Sequence, residues 1–201
     1  MVESKTIETL QEMTSLTEFQ KRKLEHLYDL FYDVNSDGKV DWNDFLCSLE
    51  KIAKINKWDA ESEKKKSSLE TLKMIWESLK QKADKNSDGI VSHDEWLLMW
   101  SDCAEAVIAR QEFPYWLSAY MAFMFDCADT SGDEVIDKEE YRNTYSEFGL
   151  SAEQCDKAYD QFTDGEKLSL DRESFSKLWH EYFLSEDVTA KGNALFGKSD
   201  W

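Results

Sequence analysis

Oxygen-bearing side chains recur at one fixed spacing in three places along the chain. Asp33, Asn35, Asp37, Asp41 and Asp44 stand at positions 1, 3, 5, 9 and 12 of "DVNSDGKVDWND". Asp84, Asn86, Asp88, Ser92 and Glu95 do the same in "DKNSDGIVSHDE", as do Asp129, Ser131, Asp133, Asp137 and Glu140 in "DTSGDEVIDKEE". Position 7 is held by Lys39, Ile90 and Val135, whose types leave only the backbone carbonyl as a donor. Acidic and neutral oxygens at alternate positions of a tight turn suit a hard divalent cation, which takes six to eight oxygen ligands.

The three stretches differ where chemistry is sensitive. Gly38 and Gly89 hold position 6, a left-handed turn position, but the third stretch has Glu134 there. A side chain in that conformation costs roughly 1 kcal/mol, so the third site is expected to be weakened at most. Position 12 is glutamate in the second and third stretches and aspartate, Asp44, in the first. Aspartate is one methylene shorter and is expected to reach an ion with one oxygen or through water. Lower coordination number suits Mg2+, so the first site is predicted to discriminate Ca2+ from Mg2+ less than the others.

These residues need elements to hold them. Each stretch is followed by an aromatic residue, Phe45, Trp96 or Tyr141. Helical patterning flanks all three. Phe19, Leu24, Leu27, Tyr28 and Phe31 share one face before the first, with Ser15 and Glu18 as a capping-box signal. Leu69, Leu72, Ile75, Trp76 and Leu79 precede the second, and an almost wholly apolar "YWLSAYMAFMFDCA" precedes the third. Residues 56–68 read as a hydrophilic linker. Helix, twelve-residue loop, helix is the EF-hand pattern, and three such units in one chain are expected to bind three calcium ions.

A fourth unit is visible in "TDGEKLSLDRES", residues 163–174, set in register by Phe175. Its ligand positions hold Thr163, Gly165, Lys167 and Ser174, so an ammonium is expected in the cation cavity and no carboxylate closes the loop. Leu170 matches the apolar position 8 of Val40, where paired loops join. The fourth unit is therefore expected to be a structural partner for the third. The fold class predicted is all-α: four EF-hand units in two pairs forming one compact globule, with short antiparallel ribbons between paired loops. The divisions expected are 1–105 for hands 1 and 2, 106–184 for hands 3 and 4, and 185–201 for a tail packed on the body.

Composition sets limits. The net charge of −18 over 201 residues excludes nucleic acid as a partner. Eight Trp, eight Tyr and eleven Phe supply a large core, and a single proline favours helix. The four scattered cysteines read as reduced thiols in a cytoplasmic protein. Neither a signal peptide nor an integral membrane segment is read. His26, His93 and His180 stand apart, and no nucleophile, base and orienter occur together, so the chain is not read as an enzyme. "GNALFGKS", 192–199, matches the P-loop spacing, but neither a preceding strand nor a following helix is expected. Leu195, Phe196 and Trp201 read instead as apolar anchors of the tail.

With "FYDVNSDGKVDWNDF", "PYWLSAYMAFMFDCADTSGD", "EEYRNTYSEFGL" and "LWHEYFLSEDVTAKGNALFGKSD", the chain resembles the invertebrate four-EF-hand proteins of the sarcoplasmic calcium-binding type, and among them the calexcitin group. The resemblance implies a compact four-hand globule with three occupied calcium sites; the chain is expected to be a monomer. It implies neuronal calcium signalling toward a calcium-dependent protein target such as a channel, with membrane association on calcium binding. The alternative is a cytosolic calcium and magnesium buffer without a switching role. GTP binding at the tail and photoprotein-like chromophore binding are lesser alternatives.

Overall fold

Helix starts are set by caps. The structure, a computed structural model, describes residues 16–110 (of 105–110 the backbone alone), 113–198 and 201. Thr17 caps α1 (Glu18–Leu27), and Gln20 completes the capping box. The expected box of Ser15 and Glu18 is thus displaced by two residues, because Thr17 and Gln20 have the same three-residue spacing; Ser15 itself lies outside the described residues. After Leu27 the last turn widens, and the Asp33 N–H reaches back five residues to the Tyr28 carbonyl at 2.8 Å. Such widened turns are frequent at functional sites, and this one leads directly into Asp33 of the first loop.

Seven further helices follow among the described residues: α2 (Trp42–Ile55), α3 (Glu63–Ala83), α4 (His93–Arg110), α5 (Tyr115–Ala128), α6 (Lys138–Glu147), α7 (Ala152–Thr163) and α8 (Arg172–Leu184). A 3-10 turn at Lys191–Ala194 closes the tail. The expected linker 56–68 is shorter than read, since Ser62 caps α3 and turns its second half into helix. That segment is charged but keeps strong helix formers, and propensity prevails over polarity. Helix α4 runs unbroken across residues 105–106.

The four hands are α1–α2, α3–α4, α5–α6 and α7–α8. Loops 1 and 2 meet at Val40 and Val91, whose amides and carbonyls exchange bonds of 3.0 and 2.8 Å. Loops 3 and 4 meet with the Ile136 N–H on the Leu170 carbonyl at 3.0 Å. Each ribbon is a single antiparallel bridge. Leu170 is buried as the position-8 reading requires.

One apolar cluster unites all four hands. The residues that follow the loops, Phe45, Trp96, Tyr141 and Phe175, are all buried in it. Phe31, in the widened turn after α1, lies 4.8 Å from Phe148 and 5.5 Å from Tyr145, and Trp100 stacks on Phe183 at 4.6 Å. Each such buried side chain contributes about 1.5–3 kcal/mol, so the two pairs are joined by packing rather than by a tether. Of the predicted α3 stripe, Leu72, Ile75, Trp76 and Leu79 are buried while Leu69 is exposed, one turn short of the core. The described cysteines are free thiols, and among the described residues no helix is long and apolar enough to cross a membrane.

Candidate functional site

The three ligand loops share one internal wiring. At position 1, the Asp33 carboxylate accepts the N–H groups of Asp37 (2.9 Å) and Gly38 (2.8 Å). Asp84 accepts those of Asp88 (3.2 Å) and Gly89 (3.0 Å). Asp129 accepts those of Gly132, Asp133 and Glu134. Position 3 folds inward, with Asn35 and Asn86 each accepting the N–H of position 5 at 2.9 Å and the Ser131 hydroxyl donating to Asp129 at 3.3 Å. Asp37, Asp88 and Asp133 at position 5 accept the N–H groups of Lys39, Ile90 and Val135. Those three are the residues whose carbonyls were expected at position 7.

Positions 9 and 12 have two jobs. Asp41 and Asp137 are the N-caps of α2 and α6, and Asp44 and Glu140 complete their capping boxes. In loop 2, Ser92 and Glu95 bond in the same way, the Ser92 N–H and hydroxyl reaching Glu95 at 3.0 and 2.8 Å. The closing carboxylate also accepts the N–H of position 3: Asn35 to Asp44 at 3.2 Å, Asn86 to Glu95 at 3.4 Å, Ser131 to Glu140 at 2.7 Å. It therefore ties the start of each loop to the start of the exiting helix before any ion is considered. Asp44 spans the same two N–H groups as the glutamates despite its shorter side chain. Burial raises its pKa against the pull of those bonds, whereas in Glu95 burial is outweighed by bonds from Ser92, Lys85 and Asn86 and the pKa falls.

Turn strain is shared differently from the sequence expectation. Positions 4 and 6 are both left-handed in every ligand loop: Ser36 and Gly38, Ser87 and Gly89, Gly132 and Glu134. Loop 3 has exchanged its glycine from position 6 to position 4, so each loop carries one non-glycine residue at positive φ. The expected extra cost of Glu134 is offset two residues earlier, at Gly132. Sequence reasoning aligned only position 6 and missed position 4.

Among the described residues, no three Asp, Glu, His or Cys side chains are gathered closely enough to hold an ion by themselves. The donors nonetheless fit a hard dication. Carboxylates from both ends of each loop are turned onto its own backbone N–H groups, and those bonds define one cradle of oxygens. In loop 1 the Lys39 ammonium leans on two of the donors, 3.9 Å from both Asp37 and Asp41.

Loop 4 is wired otherwise. Thr163 stays in α7, its hydroxyl donating to the Tyr159 carbonyl at 2.6 Å and accepting the Glu166 N–H at 3.0 Å. Lys167 is exposed and does not fill a cavity as expected. Other lysines take the acidic groups: Lys138 bonds Asp160 at 2.6 Å, and Lys191 bonds Asp164 at 2.6 Å. Asp171 still caps α8 at position 9, but Ser174 at position 12 is not a carboxylate.

The tail explains its own glycines. A Cβ on Gly192 would collide with the Leu178 carbonyl and Glu181 Cβ, and one on Gly197 would collide with Leu150. The N–H groups of Gly192, Asn193, Leu195 and Gly197 are bonded within the protein, to Glu181, Ala190, Gly192 and Ala194. Leu195 and Phe196 are buried, and the Trp201 indole N–H donates to the Asn193 carbonyl at 3.0 Å. Packing thus accounts for the P-loop spacing over 192–197; Ser199 lies outside the described residues. The histidines also have packing partners: His26 meets the Phe196 carbonyl, His180 the Ser176 carbonyl, and His93 meets Asp29 and lies against the Tyr28 ring.

Residues 81–100, spanning loop 2, match the EF hand family model. Sarcoplasmic calcium-binding proteins I, III and IV of Branchiostoma lanceolatum are 32% identical over 183 residues, 91% of this chain and 98% of theirs. The chain belongs to the sarcoplasmic calcium-binding protein family. Calexcitin-1 of Caenorhabditis elegans is 33% identical over 91% of this chain and 88% of its own. The solved sarcoplasmic calcium-binding protein from amphioxus superposes with a TM-score of 0.75 at 33% identity, covering 92% of this chain and 99% of that one. The family assignment agrees with the all-α fold and with calcium binding by EF-hands.

Proposed function

We propose that the chain binds three calcium ions, one in each of loops 1 to 3, and that loop 4 binds none. The supporting observation is the shared wiring of positions 1, 3 and 12 in the first three loops and its replacement by Thr163, Lys138 and Lys191 around the fourth. The metal ligands in this reading are Asp33, Asn35, Asp37, Lys39, Asp41 and Asp44; Asp84, Asn86, Asp88, Ile90, Ser92 and Glu95; and Asp129, Ser131, Asp133, Val135, Asp137 and Glu140. The first site also accepts Mg2+. The division into hands 1–2 and hands 3–4 belongs to the same reading, as does a cytoplasmic monomer.

The continuous core favours uptake of calcium without wide opening. Met99 and Met124 are buried, and aromatic pairs cross between the two halves. Buffers barely change on binding, whereas sensors open and expose an apolar groove. A signalling role toward a protein target is the second reading, favoured by the 33% identity to calexcitin-1. Calorimetric titration, repeated with Mg2+ present, is expected to give three calcium ions per chain; four ions, or fewer than three, would refute the assignment. Binding of an apolar-surface dye is expected to be equal with Ca2+ and Mg2+. A rise specific to Ca2+ would select the signalling reading.

A further inference from the structure

The first residue of α8 belongs to the hand without ligands, yet its side chain lies on the third loop. Arg172 donates through Nε and Nη2 to one oxygen of Glu134, at 3.2 and 3.0 Å. Its Nη1 lies 2.8 Å from Asp126, in the last turn of α5. The guanidinium also sits 4.3 Å from the centre of the Phe125 ring. One side chain therefore joins the helix entering loop 3, the sharp turn within loop 3 and the start of the helix leaving loop 4.

Each contact has a consequence at loop 3. Glu134 has φ +66° where the other loops carry glycine, and its N–H supports the Asp129 carboxylate at 3.0 Å. Holding the Glu134 side chain on Arg172 fixes that left-handed turn and keeps a sixth-position carboxylate outside the cradle. Fixing Asp126 sets the last turn of α5, three residues before Asp129. The residue before Arg172, Asp171, is the bridge partner of Val135, the carbonyl donor at position 7. The relation is reciprocal: Lys138, first residue of α6, reaches Asp160 at 2.6 Å and Glu166 at 3.4 Å in hand 4. In hands 3 and 4 the residue after the N-cap thus clasps the partner hand.

We infer that Arg172 is a positioning residue for calcium at loop 3, and that setting this site through Glu134 and Asp126 is what the ligand-free hand contributes. The inference rests on the reading of loop 3 as a calcium site and deepens it. Exposed single pairs contribute little, but a planar guanidinium that bonds two carboxylates and lies on a ring adds fixed geometry. A purely electrostatic role predicts the opposite sign, because removing a positive charge near a cation site tightens it.

The test follows backbone amides of the intact chain by two-dimensional 1H–15N NMR during calcium titration against a competing chelator. Gly132 and Glu134 report loop 3; Gly38 and Gly89 report loops 1 and 2 and the integrity of the fold. Arg172→Ala is expected to weaken loop 3 by roughly 3- to 10-fold and to leave loops 1 and 2 unchanged. In a Glu134→Gly background the same substitution is expected to cost less than about 2-fold, since the turn no longer needs to be held. Arg172→Lys, which keeps the charge and loses the fork, should fall between. Unchanged or tighter binding at loop 3 in Arg172→Ala, or an equal loss in both backgrounds, would overturn the inference. No calcium response at loop 3 in the wild-type chain would instead overturn the reading of that loop as a site.

Discussion

Lys23 is buried in a protein whose other lysines lie mostly at the surface. Its ammonium donates to the Ser185 carbonyl at 2.8 Å and to Asn193 Oδ1 at 3.0 Å, and it lies over the rings of Phe19 and Tyr182. Burial lowers its pKa to about 8, with Glu181 pulling weakly the other way. Below pH 8 both folded and unfolded chains carry this proton. Between about pH 8 and the ordinary lysine value near 10.4, the unfolded chain keeps a proton that the folded chain has lost, so stability rises with pH. Urea unfolding from pH 7.5 to 10 should therefore show wild type gaining on the order of 2 kcal/mol relative to Lys23→Met. A difference that stays flat would show that the ammonium titrates normally. Nothing in the sequence pointed to Lys23, because its burial depends on the far end of the chain closing over it. The loop ligands were readable for the opposite reason: their types and spacing are local chemistry.

At the scale of elements, caps and ligands are the same residues. Asp41, Ser92 and Asp137 start their helices, and the residue three further on closes each loop. A carboxylate at position 12 is therefore placed by helix geometry, and Asp44 occupies the same arrangement as the two glutamates. Loop 4 shares with the others the cap, Asp171, and the buried ribbon residue, Leu170, but holds Thr163, Gly165, Lys167 and Ser174 where they hold oxygen-rich side chains. Leu170 is buried in the apolar core, so Leu170→Asp places a charge there and is expected to weaken loop 3 by about tenfold or more with no ligand touched. Amide titration of Gly132 checks this, with Gly38 in loop 1 as the control. An unchanged loop 3 would show that the hands bind independently. Sequence patterning found the helices entering the three ligand loops but misplaced edges at Thr17 and Ser62, where nearby polar residues offer equivalent caps. It could not find the widened turn at Tyr28–Tyr32, which has no composition of its own.

At the scale of the molecule, the tail adds contacts to both pairs that the shared core already joins. Gly192 lies directly on the backbone of α8 at Leu178 and Tyr182, and its N–H donates to Glu181 at 2.8 Å. From there the chain reaches hand 3 through Tyr141, whose hydroxyl donates to the Leu195 carbonyl at 2.9 Å. It reaches hand 1 through Lys23, His26 and the Trp201 ring, which meets Phe19 edge-on at 5.9 Å. Asn56 adds a direct tie from the end of α2 to the Cys127 carbonyl at 3.0 Å. A methyl group on Gly192 meets backbone that cannot give way, so Gly192→Ala is expected to cost about 1–3 kcal/mol by overpacking. For a chain of this size that lowers the melting temperature by roughly 3–10 °C. If the tail joins the pairs as its contacts indicate, the loss appears at once in amides of loop 1 and loop 3, with one shared transition in both wild type and variant. Separate transitions, with hands 3 and 4 melting first while Gly38 and Gly89 keep their wild-type midpoint, would show instead two domains with a common lid. Calcium adds to the same balance, because an ion bound only by the folded chain raises stability by mass action. In one cooperative body, calcium at loops 1 and 2 should also restore the melting of loop 3 in Gly192→Ala.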